Sequence, residues 1–141
     1  MFKDFTRGLN MNRLALTIFA VFAFIFASDF FIHGVILHNA YRDSAALWRP
    51  ESEMHNYMLW LLLGEFLIAK GLSITFAKGY EKKGLMEGFR FGVIVAPLLV
   101  APCFIQYAVS PIPTSLMWAW VGLGIVQTIF AGMVAAMVYR R

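Results

Sequence analysis

Four stretches of this chain are apolar over the length needed to cross a bilayer, and they leave little sequence for anything else. They run from about 14 to 37, 57 to 77, 89 to 109 and 115 to 139. A helix rises about 1.5 Å per residue, so roughly 20 apolar residues cover a hydrocarbon core about 30 Å thick. Within that core every backbone polar group must find a partner in the chain, which a helix provides. The expected fold is therefore all-α: a polytopic membrane protein, an antiparallel four-helix transmembrane bundle forming one domain over residues 1–141. Composition agrees, with 60% of residues hydrophobic and only 14% charged, against about 25% charged in a soluble domain. These values exclude a disordered chain. The single cysteine, Cys103, excludes an internal disulfide framework.

Span 1 follows Lys3, Arg7 and Arg13, as the apolar core of a signal peptide would. Its apolar run is longer than such a core, and Ile25 and Phe26 stand where small residues are wanted before Ser28 and Asp29. It reads as a retained span.

The net charge of +4 follows a topological pattern. Lys3, Arg7 and Arg13 precede span 1; Lys78, Lys82, Lys83 and Arg90 flank the connection between spans 2 and 3; Arg140 and Arg141 end the sequence. Nine of the twelve basic residues thus fall on one side. The positive-inside rule makes that side, with both termini, cytoplasmic. No nucleic-acid partner is needed to explain the charge. The rings of Tyr41, Trp48, Tyr57, Trp60, Tyr107, Trp118 and Trp120 near the other side, and of Tyr80 and Tyr139 near this one, suit the headgroup level.

The connections carry helix-end signals. In Arg49-Pro50-Glu51-Ser52-Glu53, proline and first-turn carboxylates mark a helix beginning near Pro50, before the membrane. Ala45 to Trp48 suggest a short interfacial turn, and Gly79 a helix C-cap. Gly88, Gly92 and Ala96 in span 3, and Gly124, Thr128, Gly132 and Ala136 in span 4, recur every fourth residue. Each set lies on one helix face, and such small-residue faces let helices approach closely in lipid, which predicts that spans 3 and 4 pack together or, alternatively, that one stripe packs against another subunit. Pro97 and Pro102 should kink span 3 and free the carbonyls of Val93 and Leu98, either merely shaping packing or lining an ion path.

Ionisable residues inside a bilayer are costly and point to function. Asp29 and His33 share a face of span 1, and Glu65 lies in span 2. Counted from the ends of their spans, Asp29 and Glu65 sit at one depth, roughly 12 Å below the outer boundary. With Gln106 of span 3 they predict an outward-facing polar pocket. Four uses compete: a hydrogen-bonded structural cluster with one carboxyl protonated or His33 charged opposite Asp29, a proton or ion site, a metal or haem site, and a pocket for lipid or quinone. Asp, His and Glu are suitable ligands for zinc or iron, which makes Asp29, His33 and Glu65 the candidate metal group. Their spacing matches no metal motif, and no cofactor is required by the sequence. Lys70 reads as a snorkelling side chain and Gln127 as an interhelical hydrogen bond.

The segments Asp29-Phe30-Phe31-Ile32-His33-Gly34, Leu47-Trp48-Arg49-Pro50 and Gly88-Phe89-Arg90-Phe91-Gly92 resemble those of small uncharacterised four-span bacterial membrane proteins, a domain of unknown function. The resemblance implies a bacterial inner-membrane location and no particular activity. No P-loop, GxSxG, metalloprotease or dinucleotide motif is present, so no catalytic residues are expected. The first functional expectation is a noncatalytic accessory or interaction subunit of a larger membrane assembly, partnered by the lipid bilayer and by other membrane subunits or copies of itself. The second is a small transporter or proton-coupled protein using Asp29, His33 and Glu65. The third is a metal- or haem-binding redox protein.

Overall fold

A computed structural model describes residues 8–139. Lys3, Arg7, Arg140 and Arg141, four of the basic residues behind the expected orientation, lie outside the described residues. Helix α1 spans Met11–Phe31 and continues through a π-helical turn, Ile32–Ile36. A short helix α2, His38–Asp43, follows, then single 3-10 turns at Ala45–Leu47 and Glu51–Glu53. Three long helices complete the described chain: α3 (Met54–Lys78), α4 (Leu85–Val109) and α5 (Thr114–Val138). Four segments, Met11–Ile36, Ala45–Lys78, Leu85–Val109 and Thr114–Val138, are long and apolar enough to cross a membrane. The helices outrun the expected spans mostly at their N-terminal ends, because helical hydrogen bonding continues past the apolar run that defines a span in sequence.

Local chemistry sets the ends. Asn10 Oδ1 accepts the Arg13 N–H at 3.1 Å, capping α1. Pro50 opens the turn that leads into α3, as expected, and Gly79 ends α3 by donating to the carbonyls of Thr75 and Phe76. Gly79 does so at φ −94°, so it uses no glycine-only conformation; the left-handed residues of this loop are Lys82 and Gly84. The loop is held from α4. Buried Glu87 accepts the backbone N–H of Glu81 at 2.6 Å and of Lys83 at 2.8 Å, while Lys83 Nζ pairs with Glu81 at 2.6 Å. That ammonium holds the exposed Glu81 carboxyl below its usual range.

Helix α5 is the hub and contacts each of the other three spans. Its closest partner is α4, where the small-residue stripes meet. A Cβ built on Gly88 would strike the Gly132 carbonyl oxygen and lie 2.7 Å from Ala136 Cβ. On Gly92 it would lie 2.5 Å from Ile129 Cα, and on Gly124 3.1 Å from Val100 Cγ1. The helices therefore approach backbone to backbone, as predicted. Pro97 and Pro102 lie exposed, off this seam, and α4 runs on through both.

A core of Val21, Ile25, Ala69, Leu72, Phe76, Ala131 and Ala135 joins α1, α3 and α5. The first and last described elements meet at one end of the bundle: Tyr139 Oη accepts the Asn10 N–H at 3.3 Å, and the fully buried Tyr139 ring packs edge-on against Tyr80 at 5.2 Å. The outward faces are apolar, with Phe19, Leu59, Ile94 and Leu98 each more than two-thirds exposed. An apolar surface of that extent suits lipid, not water.

Candidate functional site

The opposite end of the bundle carries the polar residues. Asp29 lies in the last turns of α1, and Gln127 reaches it from α5. Gln127 Nε2 donates to Asp29 Oδ1 at 2.6 Å and to Ser28 Oγ at 2.8 Å. Gln127 is thus the interhelical tie its position suggested. The Ser28 hydroxyl returns its own proton to the Phe24 carbonyl at 2.7 Å, a local bond open to serine within a helix.

His33 stands in the π-helical turn. There the Leu37 N–H bonds the Ile32 carbonyl at 2.9 Å, five residues back. The wider turn changes the phase of the chain and buries Leu37 against Ile112 and Leu116. The short helix α2 then brings Tyr41 beside His33, Oη to Nδ1 at 2.6 Å. Trp120 of α5 donates its indole N–H to the same Oη at 2.7 Å. Indole only donates, so Tyr41 accepts from Trp120 and has its own proton for His33 Nδ1. That assignment leaves Nε2–H on the side of Asp29, whose Oδ1 lies 3.9 Å away. One polar chain thus runs Trp120–Tyr41–His33–Asp29–Gln127, leaving α5 and returning to it.

Aromatic packing encloses this chain. Trp48 lies edge-on to Tyr41 at 5.4 Å and to Trp120 at 5.8 Å, and its N–H donates to Ser44 Oγ at 2.9 Å. Burial drives the Tyr41 phenol up to about 12 from an ordinary 10.0; the Trp120 hydrogen bond opposes the shift and the Asp29 charge adds to it. These rings were expected at the headgroup level, with no ligand needed to explain them. Tyr41, Trp48 and Trp120 instead form one cluster, which ties α2 and the following turn to α5.

Two cavities meet at this chain. A cleft of about 970 Å³ opens between α1 and α3, under α2, and is lined by Asp29, His33 and Glu65 together with Phe26, Phe30, Tyr41, Trp48, Met58 and Trp120. A smaller cavity of about 250 Å³ lies among α1, α3, α4 and α5, behind Asp29, His33 and Trp120, which line both. Glu65 is 7% exposed, and its Oε2 has no hydrogen-bond partner. Buried polar groups in folded proteins are nearly always bonded, so such an atom calls for an explanation.

The three residues singled out by depth, Asp29, His33 and Glu65, therefore line one cleft. Gln106 does not join them: it lies exposed, donates to Ser110 Oγ at 2.9 Å, and lines neither cavity. Nor do Pro97, Pro102 or the carbonyl-bearing Val93 and Leu98 line either one. Among the described residues no three His, Cys, Asp or Glu side chains are grouped as a metal ion requires, so sharing a cleft does not make Asp29, His33 and Glu65 a ligand set. Missed from the sequence was Tyr41, although Asp29, His33 and Tyr41 recur at four and eight residues. Trp48 and Trp120 carried no signal beyond their aromaticity.

Comparison with protein-family models, with curated proteins and with solved structures finds no match.

Proposed function

We propose that this membrane protein is a small carrier whose cleft between α1 and α3 holds its ligand beside the carboxyls of Asp29 and Glu65. The supporting observation is that Glu65, whose buried Oε2 is unpartnered, lines a cavity large enough for a small molecule. A purely structural cluster would satisfy that atom within the fold, as it satisfies Asp29 through Gln127. Of the functional expectations, the accessory subunit gives the cleft no task, and the redox protein needs ligands the cleft does not group. A carrier uses both the opening and the free carboxyl. The reading includes a bacterial inner membrane with both termini cytoplasmic, on the strength of the basic-residue distribution, and the cleft then opens toward the outer side.

The test is ion and proton flux in liposomes containing the purified protein. The wild type is expected to give flux above that of protein-free liposomes, and Asp29→Asn and Glu65→Gln to return it to that background. Flux unchanged in both variants, or no flux from the wild type, would sink the reading.

A further inference from the structure

Glu65 is the more deeply buried of the two carboxyls set deep in the cleft and carries the unbonded oxygen. Asp29 is already hydrogen-bonded by Gln127, with His33 Nε2 3.9 Å away. The acids lining the cleft are Asp29, Glu51 and Glu65, and the one side chain of fixed positive charge among the described lining residues is Arg42. Arg42 belongs to α2, above the cleft, and lies 3.8 Å from Asp43. The deep part of the cleft is thus acidic without a fixed counter-charge. A neutral occupant would leave Glu65 without a counter-charge, and an anion would face two carboxyls. A cation supplies what the fold omits, since a buried acid is stable when paired and costly when left alone.

The walls select further. Trp48, Trp120 and Tyr41 line the cleft, and aromatic rings attract cations most strongly where water is excluded. Phe26, Phe30 and Met58 give the cleft an apolar, partly exposed wall. Its volume of about 970 Å³ lies at the upper end of ordinary small-molecule sites.

We propose that the cleft binds an amphiphilic organic cation, with its positive centre beside Glu65 and its apolar groups against Phe26, Phe30 and Met58. This deepens the carrier reading and rests on it.

The probes are tetraphenylphosphonium and tetraphenylborate, nearly the same shape with opposite charge, together with a neutral quinone. Each is measured by equilibrium dialysis against the full chain in detergent, counting only binding that saturates above the micelle background. Tetraphenylphosphonium is expected to saturate at one per chain and tetraphenylborate not to saturate. Glu65→Gln, with folding verified by thermal melting, should weaken phosphonium binding at least about tenfold. Should that variant fail to fold, Met54→Lys at the cleft lining carries the test, because an added positive charge there must weaken phosphonium binding. Equal binding of both ions, or phosphonium binding indifferent to the folded variant, overturns the proposal. Saturable, Glu65-dependent binding of borate or quinone overturns the cation while leaving the carrier site standing. No saturable binding of any probe, with flux unchanged by Glu65→Gln, overturns both.

Discussion

Tyr41 shows how one side chain can hold several elements together. Its hydroxyl accepts from Trp120 and bonds His33, and its ring packs on Trp48, so α1, α2 and α5 all depend on it. Tyr41→Phe keeps the ring and leaves two polar groups without their partner, at a cost of about 1–3 kcal/mol. The pH dependence has a definite sign. The fold raises the phenol from 10.0 to about 12, so it favours the protonated form. The associated stabilisation is complete below pH 10.0 and drains away as the pH rises toward about 12. Thermal melts in detergent across that window should therefore fall more steeply for the wild type than for Tyr41→Phe. Parallel curves would show that the buried hydroxyl is not what the folded state protects. Asp29, His33 and Glu65 were legible in the sequence because charge is rare at that depth. Tyr41 was not, because a tyrosine near a span end has an adequate explanation in the headgroup region, and only the π-helical turn and α2 carry it back to His33.

Among the elements, the α4–α5 pair was the most readable from sequence. Glycines and alanines at four-residue spacing have one strong use between apolar helices, close approach, and the backbones meet along those residues. Gly132→Ala should therefore be severe. Its Cβ would strike the Gly88 carbonyl oxygen and lie 3.1 Å from the Gly92 nitrogen, and backbone cannot step aside as a flexible side chain can. Overpacking of this kind costs about 1–3 kcal/mol. Gly122→Ala is the matched control, since a Cβ there meets nothing within 4 Å and glycine is a poorer helix former than alanine. Melting should place Gly132→Ala well below the wild type and Gly122→Ala level with it or above. Equal melting of the two variants would mean that the seam is looser than its distances. The π-helical turn is the opposite case. Nothing in Ile32-His33-Gly34-Val35-Ile36 distinguishes a five-residue repeat from a four-residue one, because none of its side chains is buried to favour either register. Leu37, whose N–H closes the turn on Ile32, packs in the fold against Ile112 and Leu116, which are distant in sequence.

For the whole molecule, four spans joined by short connections put residues 38–53 and 110–113 at one end and residues 79–84 at the other. The cleft and its aromatic cover belong to the first end, and the Tyr80–Tyr139 contact to the second. This polarity matters because a carrier site set to one side of the bilayer must open toward that side. Lys78, Lys82, Lys83 and Arg90 flank the second end, against Arg42 and Arg49 at the first. Arg49 also lies over the Tyr57 ring at 3.8 Å, a cation–π contact. Basic residues resist translocation, so the second end is expected in the cytoplasm. Single-cysteine labelling checks this in intact cells. In a Cys103→Ser background, Ser52→Cys should react with a membrane-impermeant maleimide added from outside, and Glu81→Cys should react only after the cells are opened. Both positions are exposed, so folding does not hide either one. Losing the Glu81–Lys83 surface pair costs little, which keeps the second variant close to native. The reverse labelling pattern would turn the cleft toward the cytoplasm, and the proposed carrier would then have to take its ligand from inside.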